Sequence, residues 1–306
     1  MEGINDIRYV RFRIADLSRQ EKFLADFGLA VEDHDGVLLA RGTDPSGYVY
    51  IAEVGKGDEQ DAFLGIGFDA QSQEALERIA AIDGVPIEEI DLPGGGLRAR
   101  LSDPDGNAVD IVWGIERPQA LEVPKRQPLN FAEDQQRLGE RVSLTNSSVI
   151  VKRLGHCVIN VVDFPTSEAW YKHRIGFITS DEIYFGGDKK TLGAFMRVNR
   201  GEDYVDHHTM FLVGAGNSEF NHAAFEVADW DTLMQGHDRL RNQKYEHRWG
   251  VGKHKLGSQV FDYWKDPSDF TMEHFTDGDL VNESFGSHQA PIEELLAVHW
   301  GPDGSP

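Results

Sequence analysis

Twelve histidines are spread unevenly along the 306 residues: His34 alone lies in the first 150, and the other eleven lie beyond. Histidine is the commonest metal ligand and the usual acid/base near neutral pH, so chemistry is expected in the second half. Three residues there stand at comparable places in strand-like segments: His156 in GHCVINVVD, His222 in NHAAFEV and Glu273 at the end of DPSDFTME. Two imidazoles and one carboxylate on neighbouring strands occupy one face of an octahedral metal. Up to three positions stay open, the arrangement that non-heme Fe(II) oxygen chemistry requires. A structural zinc is closed by four ligands, commonly including cysteine, and the chain has one cysteine, Cys157. Each of the three residues alone reads as ordinary; their joint place in an internal repeat carries the reading.

That repeat supplies the elements that must position them. Residues 8–31 and 154–179 both read as an alternating strand, an Asp-led helix start, an apolar helical face and a helix-ending glycine, Gly28 or Gly176. Phe23, Leu24 and Phe27 form the apolar stripe of the first helix, and Ala169, Trp170 and His173 that of the second. Residues 63–82 and 220–240 are a second strand-then-helix pair, and 98–114 matches 260–278 about a shared Asp-Pro turn. The chain is therefore read as α+β, four βαβββ modules paired into two similar domains with open mixed-sheet half-barrels. The boundaries are 1–115 for an N-terminal domain whose metal site is lost, 116–148 for a linker and 149–282 for a C-terminal catalytic domain. Residues 283–306 are a surface tail, with a lid over a pocket as the alternative. At the places of His156, His222 and Glu273 the first half has Tyr9, Gly65 and Asp110.

Composition excludes several classes of function. The net charge of −22 repels phosphate backbones and anionic lipid, so neither nucleic acid nor membrane is expected as a partner. One cysteine allows no intramolecular disulfide, which fits a reducing cytoplasm. No apolar run approaches the roughly 18 residues of a membrane span. PGGGLR at 93–98 reads as a hairpin turn, because no strand and helix frame it as a phosphate loop.

With these residues in view, the sequence resembles the type I extradiol ring-cleavage dioxygenases of the vicinal oxygen chelate superfamily, most strongly over 154–279. The resemblance implies Fe(II) held by His156, His222 and Glu273, with Mn(II) as the alternative metal. It implies a small aromatic diol and O2 as substrates, a muconic-semialdehyde-type product, and a homo-oligomer. It also implies His208 as the acid/base residue, fourteen residues before His222. His254 and Tyr263, nineteen and ten residues before Glu273, become hydrogen-bond partners of the diol oxygens. His207 is the rival of His208, and strand alternation sends the two to opposite faces; His207 is read as a structural partner. Two departures stand out: the Pro-x-Gly turn before the Glu reads Pro267-Ser268-Asp269, and Asp262 precedes Tyr263 where an apolar residue is common.

Other readings of the same modules are a glyoxalase-like lyase, which needs a fourth protein ligand, and the hydroxyphenylpyruvate dioxygenase branch, which does not call for His208, His254 and Tyr263. A metal-free sequestering module is a third, and it predicts loss of the ligand set. Cys157 is read as a small buried residue, His173 and His237 as packing or surface residues, and His247, His288 and His299 carry no spacing argument. His274 is read as lining the outside of the metal shell, and Trp249 and Trp264 as core or pocket walls.

Overall fold

The computed structural model describes residues 3–57, 59–123 and 126–304. Its first module is β1 (Ile4–Arg13), α1 (Leu17–Phe27), β2 (Ala30–His34), β3 (Val37–Arg41) and β4 (Tyr50–Glu53). The second is β5 (Ala62–Ala70), α2 (Gln73–Asp83), β6 (Ile87–Glu89), β7 (Leu97–Ser102) and β8 (Ala108–Trp113). The third runs β9 (Val151–Val161), α3 (Phe164–Trp170), β10 (Ile178–Phe185), β11 (Lys190–Arg197), the two-residue β12 (Val205–Asp206) and β13 (Met210–Gly214). The fourth is β14 (Glu219–Val227), α4 (Trp230–Asn242), β15 (His247–His254), β16 (Val260–Lys265) and β17 (Thr271–Thr276). After it come β18 (Leu280–Val281), β19 (His288–Pro291), α5 (Ile292–Leu295) and β20 (Val298–Trp300). No helix among the described residues is long and apolar enough to cross a membrane.

Each helix of the repeat begins for the same local reason. Asp16, Ser72, Asp163 and Asp229 accept hydrogen bonds from the backbone N–H three residues on, at 3.0, 3.1, 3.1 and 2.8 Å, caps that contribute about 1 kcal/mol each. Gly28 closes α1 at φ +100°, a conformation glycine adopts without a Cβ penalty. The third helix departs from the expected stripe. Its last turn, Tyr171–Ile175, is π-helical, and its buried residues are Phe164, Ser167, Tyr171 and Ile175, with Ala169 and His173 exposed. The wider turn carries Tyr171 inward, where its hydroxyl donates to Asp103 of the second module at 3.1 Å.

Two mixed sheets result, in the orders β2-β3-β4-β1-β5-β8-β7-β6 and β19-β10-β11-β13-β9-β14-β17-β16-β15-β20. In each, two modules join through their antiparallel first strands, β1 with β5 and β9 with β14. One apolar core runs through both halves: Phe12 packs on Phe220 and Phe270, Phe27 on Phe225, and Phe68 on Phe177. Inter-half hydrogen bonds repeat the symmetry, because Gln20 donates to Asp266 at 2.9 Å much as Tyr171 donates to Asp103. Both aspartates organise their Asp-Pro turns: Asp103 accepts from the N–H groups of Asp105 and Asn107, and Asp266 from those of Ser268 and Phe270. Asp269 takes φ +68° in its turn where Gly106 takes +88° in the other, so the missing glycine is replaced by a residue that tolerates this backbone.

Register makes the two halves comparable residue by residue. His156 pairs with Ala224 and Ala224 with Glu273; correspondingly Tyr9 pairs with Gly67 and Gly67 with Asp110. His222 and Gly65 each stand two residues earlier on their strand, on the same face. Tyr263 opposite Glu273 has its counterpart in Arg100 opposite Asp110. In the first half that arginine holds the carboxylate bidentately, at 2.7 and 2.9 Å, while the Tyr9 hydroxyl donates to it at 2.8 Å. A Cβ at Gly67 would fall 2.5 Å from the Tyr9 ring. A guanidinium and a phenol therefore fill the first-half site.

Arg100→Ala is expected to lower stability by roughly 2 kcal/mol, because Asp110 stays buried with only Tyr9 and a longer contact to Arg11. Burial alone would raise the Asp110 carboxyl, but Arg100 outweighs it and holds it below the usual range. A depressed folded-state value contributes stability above the unfolded value of about 4 and loses it as pH falls below. Urea midpoints of parent and variant should therefore converge as the pH drops below about 4.

Candidate active site

The second sheet brings His156 from β9, His222 from β14 and Glu273 from β17 to one buried point. Their donor atoms all lie within 4.8 Å of one another. The Nε2 atoms of His156 and His222 stand 3.4 and 3.3 Å from Glu273 Oε2. Even so, both Glu273 oxygens and His156 Nδ1 are buried with no hydrogen-bond partner. A fully buried carboxylate left so is costly unless a cation or donor satisfies it; its counterpart Asp110 has Arg100, and Glu273 has no such arginine. His222 Nδ1 donates to Asn221 Oδ1 at 2.8 Å, which leaves Nε2 as a lone pair facing Glu273. Burial lowers the His222 pKa, which favours its neutral ring. The residues fit a divalent metal held by two neutral imidazoles and one carboxylate.

His208, His254 and Tyr263 line the same cavity, of about 210 Å³, as His156 and His222. The His208 ring centroid lies 4.1 Å from that of His156, and Tyr263 lies edge-on to His222 at 5.1 Å. His254 Nε2 and the Tyr263 hydroxyl are 3.0 Å apart. Burial first, then neighbouring imidazoles, holds His208 well below the usual histidine range; burial takes His254 down to about 4 and Tyr263 well above 10. All three are neutral near pH 7.

His207 faces away from the cavity, with Nε2 2.6 Å from Asp181 Oδ2 and Nδ1 3.2 Å from His208 Nδ1. A carboxylate only accepts, so His207 donates from Nε2 to Asp181, and the tautomer with Nδ1 bare accepts from His208 Nδ1. In that arrangement His208 Nε2 carries a lone pair. Asp181 had no motif to announce it; the adjacent histidines were the one available signal.

The remaining wall is mostly apolar, formed by Val158, Phe195, Phe211, Val213, Trp249 and Leu256 with Leu295 and Leu296 of the C-terminal segment, and its polar side chains are Asn221 and Gln259. That segment is bound to the sheet, since β19 pairs with β10 and β20 with β15, and the Trp249 indole donates to the Pro302 carbonyl at 3.1 Å. Cys157 is fully buried, and burial pushes its thiol up. His274 lies on the opposite face from Glu273, stacked on Phe27 and donating from Nε2 to the Phe27 carbonyl at 2.7 Å, so it joins the two halves and lies away from the metal shell. His237 and His247 both reach Asp262, the unexpected acid of β16.

Residues 153–274 match the family model of the Glyoxalase/Bleomycin resistance protein/Dioxygenase superfamily. Metapyrocatechase 2 of Cupriavidus necator is 26% identical, with 98% of this chain and 90% of that protein covered. A 1,2-dihydroxynaphthalene dioxygenase of Sphingobium xenophagum is 24% identical over 96% of this chain and 92% of its own. The crystal structure of an Mn(II)-bound glyoxalase from Novosphingobium aromaticivorans superposes with a TM-score of 0.77 at 21% identity, covering 99% of this chain and 93% of that one.

Proposed function

We propose that this chain, whose residues 153–274 match the family model of the Glyoxalase/Bleomycin resistance protein/Dioxygenase superfamily, is an Fe(II)-dependent extradiol dioxygenase. It opens a catechol-type ring beside its two hydroxyls and incorporates both atoms of O2. The observation that carries this reading is the orphaned, buried Glu273 carboxylate beside two imidazoles, His156 and His222, that line a cavity together with His208, His254 and Tyr263. The dioxygenases among its relatives support it.

The metal would be held by His156, His222 and Glu273. Fe(II) there supplies chelation of the vicinal oxygens and a shared centre for diol and O2. One carboxylate against a dication leaves a net charge of +1 among neutral neighbours, which matches a singly ionised diol. His208 Nε2 is placed to take the hydroxyl proton as the diol binds and to return it when the ring opens. Tyr263 stays protonated and, with His254, hydrogen-bonds the diol oxygens; the apolar walls and Leu295 and Leu296 keep water from the reacting face.

The cavity lining contains no lysine or arginine, so an uncharged ring substituent fits it best. A carboxylate there would be desolvated without a partner. Alkyl- or aryl-catechols are therefore expected to exceed a carboxylated catechol in kcat/KM by at least about 100-fold. The test is anaerobic loading with Fe(II), then a catechol panel in air with oxygen uptake and visible absorbance recorded. One O2 consumed per yellow product supports ring cleavage; Fe(II) bound with no diol consuming O2 overturns it.

A further inference from the structure

Strand β16 carries Tyr263 into the cavity and, by alternation, Asp262 to the opposite face, beneath α4. There His237 of α4, His247 of β15 and Asp262 converge, their donor atoms within 4.8 Å of one another. Asp262 Oδ1 is 2.8 Å from His247 Nε2 and 3.2 Å from His237 Nδ1; Oδ2 is 3.2 Å from the same His237 nitrogen and accepts the Trp264 indole N–H at 2.6 Å. The carboxylate is fully buried, whereas the imidazole side chains are 15% and 34% exposed. We propose that His237, His247 and Asp262 form a second divalent metal site, of the zinc type, which clamps α4 to the β15–β16 hairpin behind the cavity.

The donor set is two borderline nitrogens and one oxygen, which zinc takes with a water completing four ligands. Ligand atoms around a zinc with bonds of about 2.1 Å stand about 3.4 Å apart in tetrahedral geometry, near the 3.2 Å between His237 and Asp262 and the 3.3 and 3.4 Å at Glu273, so only the 2.8 Å between His247 and Asp262 has to widen. The two rings are edge to face, 87° apart, so they approach Asp262 from different sides. Trp264 fixes Oδ2 in the way that ligating carboxylates are oriented by an outer donor, and leaves Oδ1 for the metal. The exposed side of the imidazoles gives a water its place and the ion its entry path.

The probe is Zn2+ itself, equilibrated with metal-stripped protein by dialysis and counted per chain. The parent is expected to hold two equivalents, Glu273→Gln one, His247→Gln one, and the double variant none. Glutamine at 247 can still donate an N–H to Asp262, so the hydrogen bond and the fold persist while the imidazole ligand is lost. In the Glu273→Gln background, Zn2+ should also raise Tm, and the added His247→Gln should remove that rise. The proposal is overturned if parent and His247→Gln take up the same amount, which would leave a hydrogen-bonded His–Asp–His cluster only. The difference between those two proteins reads this site alone, whatever occurs at Glu273.

Discussion

Glu273→Gln is expected to lose bound Fe(II) and ring cleavage together while the fold persists. Glutamine has nearly the same shape, so the strand pairing of β17 with β14 and β16 has no reason to change. What changes is charge. Glu273 is the one anion among the three donors, and the other titratable groups of the cavity are imidazoles and a phenol held neutral by burial. A dication among neutral groups in a buried site has no compensation for its lost hydration. Iron per chain, measured after gel filtration, should fall from near one to near zero. kcat/KM should fall by at least about 1000-fold, equivalent to ~4 kcal/mol of transition-state stabilisation. Retention of iron together with more than a tenth of the turnover would remove Glu273 from the ligand set. Asp110→Asn is the control, because Arg100 already occupies the corresponding place and neither iron nor turnover should respond.

The contrast between Glu273 and Asp110 also shows why so much was legible in the sequence. The modules announce themselves through local chemistry: an Asp or Ser cap, an apolar stripe, a closing glycine and an Asp-Pro turn recur in order, and each acts within a few residues of itself. Once the repeat is aligned, strand pairing carries the ligand positions into register, so His156, His222 and Glu273 meet without further information. What stayed illegible depends on residues distant in the chain. Asp181 reaches His207 across strands, Leu295 and Leu296 come from the C-terminal segment to wall the cavity, and His274 stacks on Phe27 of the other half. The expected stripe of the third helix failed because its π-helical turn swings Tyr171 towards Asp103, a partner 68 residues away. Asp262 was visible only as a departure from pattern; the two histidines that explain it come from α4 and β15.

His208→Phe is expected to keep iron and substrate binding and lose most of the turnover, because it removes the lone pair at Nε2 and leaves the three metal donors untouched. General acid–base catalysis contributes about 100- to 10,000-fold, so kcat should fall within that range while KM moves only a few-fold. Full activity in this variant would show that the proton moves elsewhere. The pH profile gives a second check on the parent. Burial and neighbouring imidazoles lower the His208 pKa, so the neutral ring persists below pH 6.5, and a bound dication depresses it further. Activity that depends on the neutral form should therefore hold as the pH falls through 6.5, with the acid limb lying lower; an acid limb at or above 6.5 contradicts the assignment. Asp181→Asn separates positioning from chemistry. The amide can donate to His207 Nε2, which moves the His207 proton to Nδ1 and then forces the His208 proton onto Nε2, the atom that must accept. With iron content unchanged, kcat is expected to fall about 10- to 100-fold, the range typical of groups that orient a histidine. A histidine that is correctly placed but carries its proton on the wrong nitrogen is a poor base, so a loss of turnover without loss of metal would locate the function of the Asp181–His207 pair in the tautomer it imposes.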